Sequence, residues 1–381
     1  MTSSPRLSAR VADLHASPIR EILALVSQPG MISFAGGLPA PETFPEVTLT
    51  GVPRDAWQYG ASEGDLALRE QVAADLAACD LPVPAAQVLI LSGSQQGIDL
   101  VAKLFVDAGT AVAVEAPTYL AALQVFRFFG ARFIEFTAGT CGSLAASRPA
   151  LAYVNPTFQN PTGYCYSAEE RRTLAVHCRQ HGIVVFEDDP YRDLSYGDSA
   201  RRPICADLGD ASWIYQGSFS KSLAPGLRLG YLACSVELLP LLTRLKQAAD
   251  LHSNRLSQAL VLAALTDPAR QARTAGLIDF YTRRRDAFAA LLDEHFGTLA
   301  DWAVPAGGLF FWLKLRERPA LDTRTLLPHA LARGIAFMPG EPFFAAERGG
   351  RGCLRLNFSH AAPSDAARGL AALAQVVHSA G

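Results

Sequence analysis

The stretch IVVFEDDPY, residues 183–191, runs four apolar residues directly into three acids, a proline and a tyrosine. Apolar runs that do not alternate with polar residues are typical of strands buried on both faces, as in parallel sheets. The polar residues that follow mark the end of such a strand. The same pattern recurs along the chain, and this recurrence predicts the fold.

Four further stretches share the pattern: VLIL before SGSQQG (88–97), AVAV before EAPTY (111–119), LAYV before NPTFQNPTG (151–163) and WIY before QGSFSK (213–221). Helical patterns lie between them, such as the one over 167–180, where Ser167 and Glu170 have capping-box spacing. This alternation predicts an α/β fold with a large, mostly parallel sheet flanked by helices. Ligands bind beyond the carboxyl ends of such strands, so the five polar segments are expected to converge on one site.

The pattern changes near residue 278 and predicts a second, smaller α+β domain. Its elements are a charged helical stretch over 281–295, a strand at 309–313, a helix near 322–333, a short apolar run at 335–338 and a strand at 354–358. We therefore divide the chain into an N-terminal helix and substrate loop that pack with the small domain (1–44), a large domain (45–277) and the small C-terminal domain (278–381).

Composition narrows the class of protein. Of the 381 residues 50% are apolar, and 34 basic residues against 36 acidic ones leave a net charge of −2. This balance excludes a polybasic surface, so neither nucleic acid nor a membrane is expected as a partner. Seven irregularly spaced cysteines without a CxxC pair indicate neither a disulfide framework nor a zinc site. No apolar run reaches the ~18 residues of a membrane span and the N-terminus lacks an apolar signal core, so a cytoplasmic location is expected.

Lys221 ends the segment SFSK, directly after a predicted buried strand. A lysine on the floor of an apolar cleft can lose its proton and form a Schiff base with an aldehyde. Two other interpretations exist: a solvated loop lysine, and the Ser-x-x-Lys motif of penicillin-binding enzymes. The second also requires Ser-Asp-Asn and Lys-Thr-Gly elements, which this sequence lacks.

Asp188 ends a buried strand between two other acids. A metal site is one interpretation, but no histidine or further carboxylate cluster has a matching spacing, so no metal is expected. The other is a buried, ionised carboxylate that keeps a pyridinium nitrogen protonated, with Tyr191 reaching the phenolic oxygen of the same ring. His177 and His181 lie four residues apart, but without the Glu of His-Glu-x-x-His an exposed helix face is favoured.

The segment from Gly93 through Ser94 to Gln95 joins a strand to a helix. Backbone N–H groups at a helix N-terminus favour an anion there. The segment is neither a Walker loop nor GxGxxG, so it indicates a single phosphate rather than a nucleotide.

Together these segments resemble the fold-type I pyridoxal-phosphate enzymes. Within them, the chain is most similar to the class I aminotransferases of the α-aminoadipate and kynurenine aminotransferase branch, a branch shared with the catalytic half of MocR-type regulators. The resemblance runs from residue 17 to residue 356 and rests on SFAGGLP (33–39), SGSQQG (92–97), QNPTG (159–163), DDPY (188–191) and SFSK (218–221).

The resemblance implies pyridoxal 5′-phosphate as the cofactor and assigns roles to several residues. Lys221 would form the aldimine and carry a proton between the substrate α-carbon and the cofactor. Asp188 would pair with the ring nitrogen, Tyr119 would stack on the ring, and Asn160 and Tyr191 would bind its 3′-oxygen. The phosphate would be held by Gly93, Ser94, Gln95, Ser218 and Arg228, and by Tyr59 of the neighbouring subunit, which implies a homodimer.

For the substrate, the resemblance implies that Arg355 and Asn160 bind the α-carboxylate and that the backbone at Gly37 closes over it. Ser17 has the place of a helix N-cap, with Arg20 in the first turn. A cation there opposes the helix dipole by about 0.3–1 kcal/mol, which hints at a partner. In the resembling enzymes that arginine recognises a distal carboxylate; a solvated arginine paired with a neighbour is the alternative.

The function expected from the resemblance is an aminotransferase with a ping-pong mechanism. It would act between an L-amino acid (2-aminoadipate, glutamate, aromatic or leucine-like) and a 2-oxo acid. One alternative is another reaction of the same fold, such as decarboxylation, elimination or oxidation. A second is a non-catalytic, effector-sensing MocR-type domain, which is disfavoured because only about twenty residues precede the matching segment where those regulators carry a winged helix.

Overall fold

A computed structural model describes residues 7–11, 30–46, 51–346 and 349–379. Ser17 and Arg20, which we predict to contact substrate, lie outside the described residues. The described strands are β1 Ile32–Ser33, β2 Val88–Leu91, β3 Ala111–Glu115, β4 Arg132–Phe136, β5 Leu151–Val154, β6 Val184–Asp188, β7 Trp213–Ser218, β8 Gly230–Cys234, β9 Ala300–Asp301, β10 Phe310–Leu315, β11 Ile335–Ala336, β12 Met338–Pro339 and β13 Cys353–Asn357.

Helices alternate with these strands. The α-helices within the described ranges are α1 Leu66–Ala77, α2 Ser94–Phe105, α3 Leu120–Phe128, α4 Ser143–Ser147, α5 Ala168–His181, α6 Leu239–Asp250, α7 Arg255–Thr266, α8 Arg270–Phe296, α9 Leu327–Leu331 and α10 Pro363–Ser379. Short 3₁₀ turns lie at Ala9–Val11, Pro41–Thr43, Arg54–Trp57, Ala85–Gln87, Ile204–Asp207, Pro225–Leu227, Thr323–Leu326 and Glu341–Phe343. No helix in the described ranges is long and apolar enough to cross a membrane.

The large sheet has seven strands in the order β2-β8-β7-β6-β5-β3-β4. Every neighbouring pair from β7 to β4 is parallel, whereas β8 is antiparallel to both β2 and β7. The predicted α/β fold with a mostly parallel sheet is therefore confirmed. The sequence patterns missed β4 and β8: β4 reads RFIEF because it is a half-exposed edge strand, and β8 follows a Pro-Gly turn.

The strand runs are apolar without alternation because both faces of the sheet are covered. Val88 and Ile90 pack into one core cluster, whereas Leu89 and Leu91 pack into the cluster on the opposite face. Successive side chains of a strand point to opposite faces, so each run supplies both clusters. Helices α1, α5 and α7 cover the first face, and α2, α3 and α6 cover the second.

The C-terminal part has its own antiparallel sheet, in the order β12-β13-β10-β9, and its own core cluster. The N-terminal strand β1 pairs in parallel with β11, and Phe34 packs into that same cluster. Helix α8 begins well before the predicted stretch 281–295. The sequence pattern did not predict its first turns because Thr274 and Gly276 are weak helix formers. The boundary that we predict at 277/278 lies inside this helix, and the division into three segments remains a prediction.

The predicted capping box at the start of α5 is confirmed. The backbone N–H of Glu170 donates to Ser167 Oγ at 3.2 Å, and the backbone N–H of Ser167 donates to the Glu170 carboxylate at 2.7 Å. Two backbone donors that the first helical turn leaves free are thus satisfied by side chains.

We predict that Ser167→Ala lowers the free energy of unfolding by about 1 kcal/mol, the usual loss on removing an N-cap. Denaturant unfolding of the cofactor-free protein followed by circular dichroism measures the change. Ser364→Ala is the control, because Ser364 is exposed near the start of α10 and has no side-chain hydrogen bond within the described residues. Equal stability of the two variants would contradict the role of the capping box.

Candidate active site

Several predicted site residues lie together at the carboxyl ends of the parallel strands. A buried arginine of the C-terminal sheet contacts them there. Asn160 is in direct contact with two of them: Arg355 Nη1 donates to its Oδ1 at 2.7 Å, and its Nδ2 donates to the Tyr191 hydroxyl at 3.4 Å. The loop after β5, the loop after β6 and strand β13 therefore meet at one point.

Lys221 differs in its surroundings from the other lysines of the chain, which are Lys103, Lys246 and Lys314. Lys103 and Lys246 form ion pairs with aspartates four residues away, and Lys314 is exposed on β10. Lys221 Nζ instead donates to the carbonyl of Gly37 at 2.7 Å. Burial, followed by the charges of Arg355 and Arg228, lowers the pKa of Lys221 to about 8. The neutral, nucleophilic fraction of this amine near neutral pH is therefore larger than that of an ordinary lysine, although most of it is still protonated.

Asp188 is the last residue of β6 and is 3% exposed. Its carboxylate accepts the Tyr153 hydroxyl at 2.7 Å and Gln216 Nε2 at 2.9 Å. Burial raises the pKa of Asp188 to about 6, so the carboxylate is mostly ionised at neutral pH. We did not predict Tyr153 and Gln216 as site residues. The sequence feature that could have indicated them is a polar side-chain group within an otherwise apolar, buried strand.

Arg355 lies in the middle of β13 and is 1% exposed. Its Nη2 donates to the carbonyl of Ala35, and the guanidinium stacks 4.2 Å from the centroid of the Phe310 ring and 5.0 Å from that of Phe343. Burial lowers the pKa of Arg355 to about 10, which leaves it charged at neutral pH. Among the described residues, its hydrogen-bond acceptors are the Asn160 side-chain oxygen and the Ala35 carbonyl, neither of which is a carboxylate, and its Nε has no partner.

A cradle for an anion lies where β2 joins α2. Gly93 precedes the helix with a left-handed φ of 84°, and a Cβ at this position would lie 2.4 Å from Arg228 Nη2. Ser94 and Gln95 are the first two helical residues, so their backbone N–H groups point out of the helix end. Ser218, the last residue of β7, accepts the backbone N–H of Ser220 at 3.2 Å. Cation, helix end and hydroxyl together suit a phosphate.

The remaining predicted residues have different surroundings. Tyr119 is the N-cap residue of α3, and burial and the nearby Asp188 charge raise the pKa of its phenol to about 12. Tyr59 is 77% exposed and packs edge-on against His252, with 5.8 Å between the ring centroids. Within the described ranges, no three His, Cys, Asp or Glu side chains are grouped so as to bind a metal ion.

A family profile, sequence relatives and solved structures match this chain. The family profile described as aminotransferase class I and II matches residues 40–373. A 2-aminoadipate transaminase of Thermus thermophilus is 39% identical over 91% of this chain and 90% of that protein, and an aromatic-amino-acid aminotransferase of Thermococcus litoralis is 34% identical over 97% and 93%. The crystal structure of a T. thermophilus α-aminoadipate aminotransferase complexed with N-(5′-phosphopyridoxyl)-L-leucine superimposes with a TM-score of 0.88 and 36% identity, covering 98% of this chain and 97% of that one.

We predict that Arg355→Gln raises the pKa of Lys221 above its wild-type value of about 8, because loss of a nearby cation favours the protonated amine. The pH dependence of Lys221 acylation, followed by peptide mass spectrometry in the cofactor-free protein, measures it. Arg316→Gln, which removes a surface arginine, is expected to leave the value unchanged. An unchanged pKa of Lys221 in the Arg355→Gln variant would show that the two side chains are not electrostatically coupled.

Proposed function

Because the chain belongs to the class I and II aminotransferases, we propose that it moves an amino group between an L-amino acid and a 2-oxo acid in two half-reactions. The product of the first half-reaction is released before the substrate of the second binds, which is a ping-pong mechanism. The protein is a pyridoxal-phosphate-dependent aminotransferase. The observation that carries the proposed roles is the buried guanidinium of Arg355. It has no carboxylate partner in the described part of the chain, and its charge acts on the Lys221 amine.

The residues present fit pyridoxal phosphate. Because Gly93 lacks a Cβ, which would lie 2.4 Å from Arg228 Nη2, the guanidinium can lie against the N-terminal end of α2, where a phosphate would bind. Asp188 offers a buried carboxylate for a protonated ring nitrogen, and Lys221 offers an amine of lowered pKa. When bound, the cofactor supplies an aldehyde that takes up the amino group and a ring that accepts the electron pair released at the substrate α-carbon.

In our proposal, Arg355 binds the substrate α-carboxylate. A charge-assisted, bidentate pair satisfies the guanidinium and fixes the orientation of the amino acid. Asn160, already bonded to Arg355, holds the guanidinium in place, and the backbone at Gly37 closes over the bound carboxylate. The α-hydrogen would then face Lys221, whose Nζ would take the proton from the α-carbon and deliver it to the aldehyde-derived carbon of the cofactor.

Asp188 keeps the ring nitrogen protonated, since its own hydrogen bonds from Tyr153 and Gln216 favour the ionised carboxylate. We further assign Tyr119 to the ring face and Tyr191, with Asn160, to the 3′-oxygen. The phosphate is assigned to Gly93, Ser94, Gln95, Ser218 and Arg228. The exposed ring of Tyr59 supports the proposal that it reaches the phosphate of a second copy in a homodimer.

We propose 2-aminoadipate, glutamate, aromatic and leucine-like amino acids as donors. The names of the relatives support this range, since one is a 2-aminoadipate transaminase, one an aromatic-amino-acid aminotransferase, and one structure holds a leucine adduct. Arg20 is proposed to bind the distal carboxylate of acidic donors, and Ser17 is proposed as an N-cap residue that precedes it.

The absorbance of the bound cofactor tests the reaction class. Glutamate alone should bleach the yellow protein, and 2-oxoglutarate should restore the colour, because each half-reaction is separate. Lys221→Ala should lower the rate of bleaching by about 10²–10⁴-fold and lose covalent attachment of the cofactor after borohydride reduction. Lys314→Ala is the matched control. A wild-type protein that stays yellow through a panel of amino donors would refute transamination.

The proposed role of Arg20 predicts a selective effect. Arg20→Ala should lower kcat/KM for 2-aminoadipate and glutamate by about 10–100-fold, the loss of one charge-assisted bond, and change that for phenylalanine or leucine little. A donor panel of wild type and variant measures this. Equal losses for acidic and aromatic donors would remove the distal-carboxylate role.

A further inference from the structure

Glu115 is a buried acid that the proposed mechanism does not use. It ends β3, is 2% exposed, and is surrounded by hydrogen-bond donors. Its carboxylate accepts the backbone N–H of Asn155 at 2.7 Å, Gln159 Nε2 at 2.6 Å and the Tyr166 hydroxyl at 2.8 Å. All three donors belong to the stretch that begins with the loop after β5 and ends just before α5.

The loop that Glu115 holds is the one that carries Asn160. Asn155 extends the connection on its other side: its Nδ2 donates to the carbonyl of Asp188, and its Oδ1 accepts the backbone N–H of Asn160 at 2.8 Å. Gln159 is adjacent to Asn160 and also donates to the carbonyl of Pro117 at 3.1 Å. Asn160 in turn contacts Arg355 and Tyr191. A continuous path of hydrogen bonds thus leads from Glu115 to the guanidinium.

We propose that Glu115 is a positioning residue for this site: its ionised carboxylate anchors the loop 155–163 so that Asn160 is held between Arg355 and Tyr191. The inference rests on the proposed function, because it assigns Arg355 and Asn160 to substrate. The need for the ionised form follows from the donors. The Asn155 N–H group and the Gln159 amide NH₂ can only donate, so a neutral carboxylic acid could direct its proton only to the Tyr166 hydroxyl, which would then no longer donate to Glu115. The full set of three donated hydrogen bonds therefore exists only with the ionised carboxylate.

The balance of charges around Glu115 makes the anchor sensitive to pH. Burial, only partly opposed by the three donors and by Arg171 of α5, raises the pKa of Glu115 to about 7. Tyr166 is the other titratable group that contacts Glu115, and its raised pKa makes it a neutral donor, whereas the Tyr153 hydroxyl of β5 donates to Asp188 instead. Glu115, Gln159 and Tyr166 line a cavity of about 1170 Å³, through which protons can exchange with solvent.

The sign of the effect follows from these groups. As pH falls through about 7, Glu115 takes up a proton, the anchor weakens and Asn160 loses its fixed position. We expect kcat to fall on the acid side, since misplacement of a positioning group by about 1 Å can cost 10²-fold. Glu115→Gln should lower kcat about 10-fold or more above pH 7. It should also remove the contribution of Glu115 to the acid limb of the pH profile of kcat, which is the fall in kcat at low pH.

Tyr166→Phe is the sharper test, because it keeps the carboxylate and removes one neutral donor. It should raise the pKa of Glu115 and move the acid limb of kcat upward by about 0.5–1 unit. Tyr164→Phe is the matched control, since Tyr164 is exposed and bonds to Glu170 instead. An acid limb that is the same in wild type, Tyr166→Phe and Glu115→Gln would overturn the proposal.

A second readout is independent of catalysis. In the cofactor-free protein, amide hydrogen exchange of peptides covering 155–166 should be faster in Glu115→Gln than in wild type, with peptides from α10 unchanged. In wild type the protection of 155–166 should increase between pH 6 and 8. Equal exchange in both proteins would also overturn the proposal, whereas an absence of amino transfer by wild type with the exchange difference present would contradict only the proposed function.

Discussion

A buried cation that has no carboxylate partner among the described residues is the constraint on which the rest of the site depends. Moving a guanidinium out of water costs several kcal/mol unless its charge is compensated. Arg355 is compensated only in part, by the Asn160 amide, the Ala35 carbonyl and the faces of two aromatic rings. These partners leave the charge in place and unneutralised, which is the state that the proposed binding of a substrate carboxylate requires.

The same residue joins separate parts of the chain. Its partners come from the N-terminal segment, the loop after β5 and strand β10, so Arg355 links the C-terminal sheet to the edge of the large sheet. Lys221 donates to Gly37, two residues after Ala35, and Asn160 accepts from Arg355 directly. Lys221 and Asn160 are thus both joined by hydrogen bonds to segments that contact Arg355.

Buried carboxylates at the strand ends are a second feature that costs free energy. Glu115, Glu187 and Asp188 all lie in the last two residues of parallel strands, and burial raises the pKa of each. They are tolerated because hydrogen-bond donors meet them at this edge: the backbone of Asn155 for Glu115, the backbone of Cys205 for Glu187, and the side chains of Tyr153 and Gln216 in the neighbouring strands for Asp188. Polar chemistry is confined to this edge because the rest of each strand is covered on both faces by helices.

How much the sequence determined by itself can be judged from individual elements. Apolar runs with polar ends identified β2, β3, β5, β6 and β7, and the spacing of Ser167 and Glu170 identified the start of α5, because these signals are local. Lys221 and Asp188 were found by their place after such runs. The edge strand β4, the reversed strand β8, the partners of Asp188 at Tyr153 and Gln216, and the contacts of Glu115 depended on tertiary structure. Each joins residues far apart in sequence, whose meeting is decided by strand order and direction rather than by any local pattern.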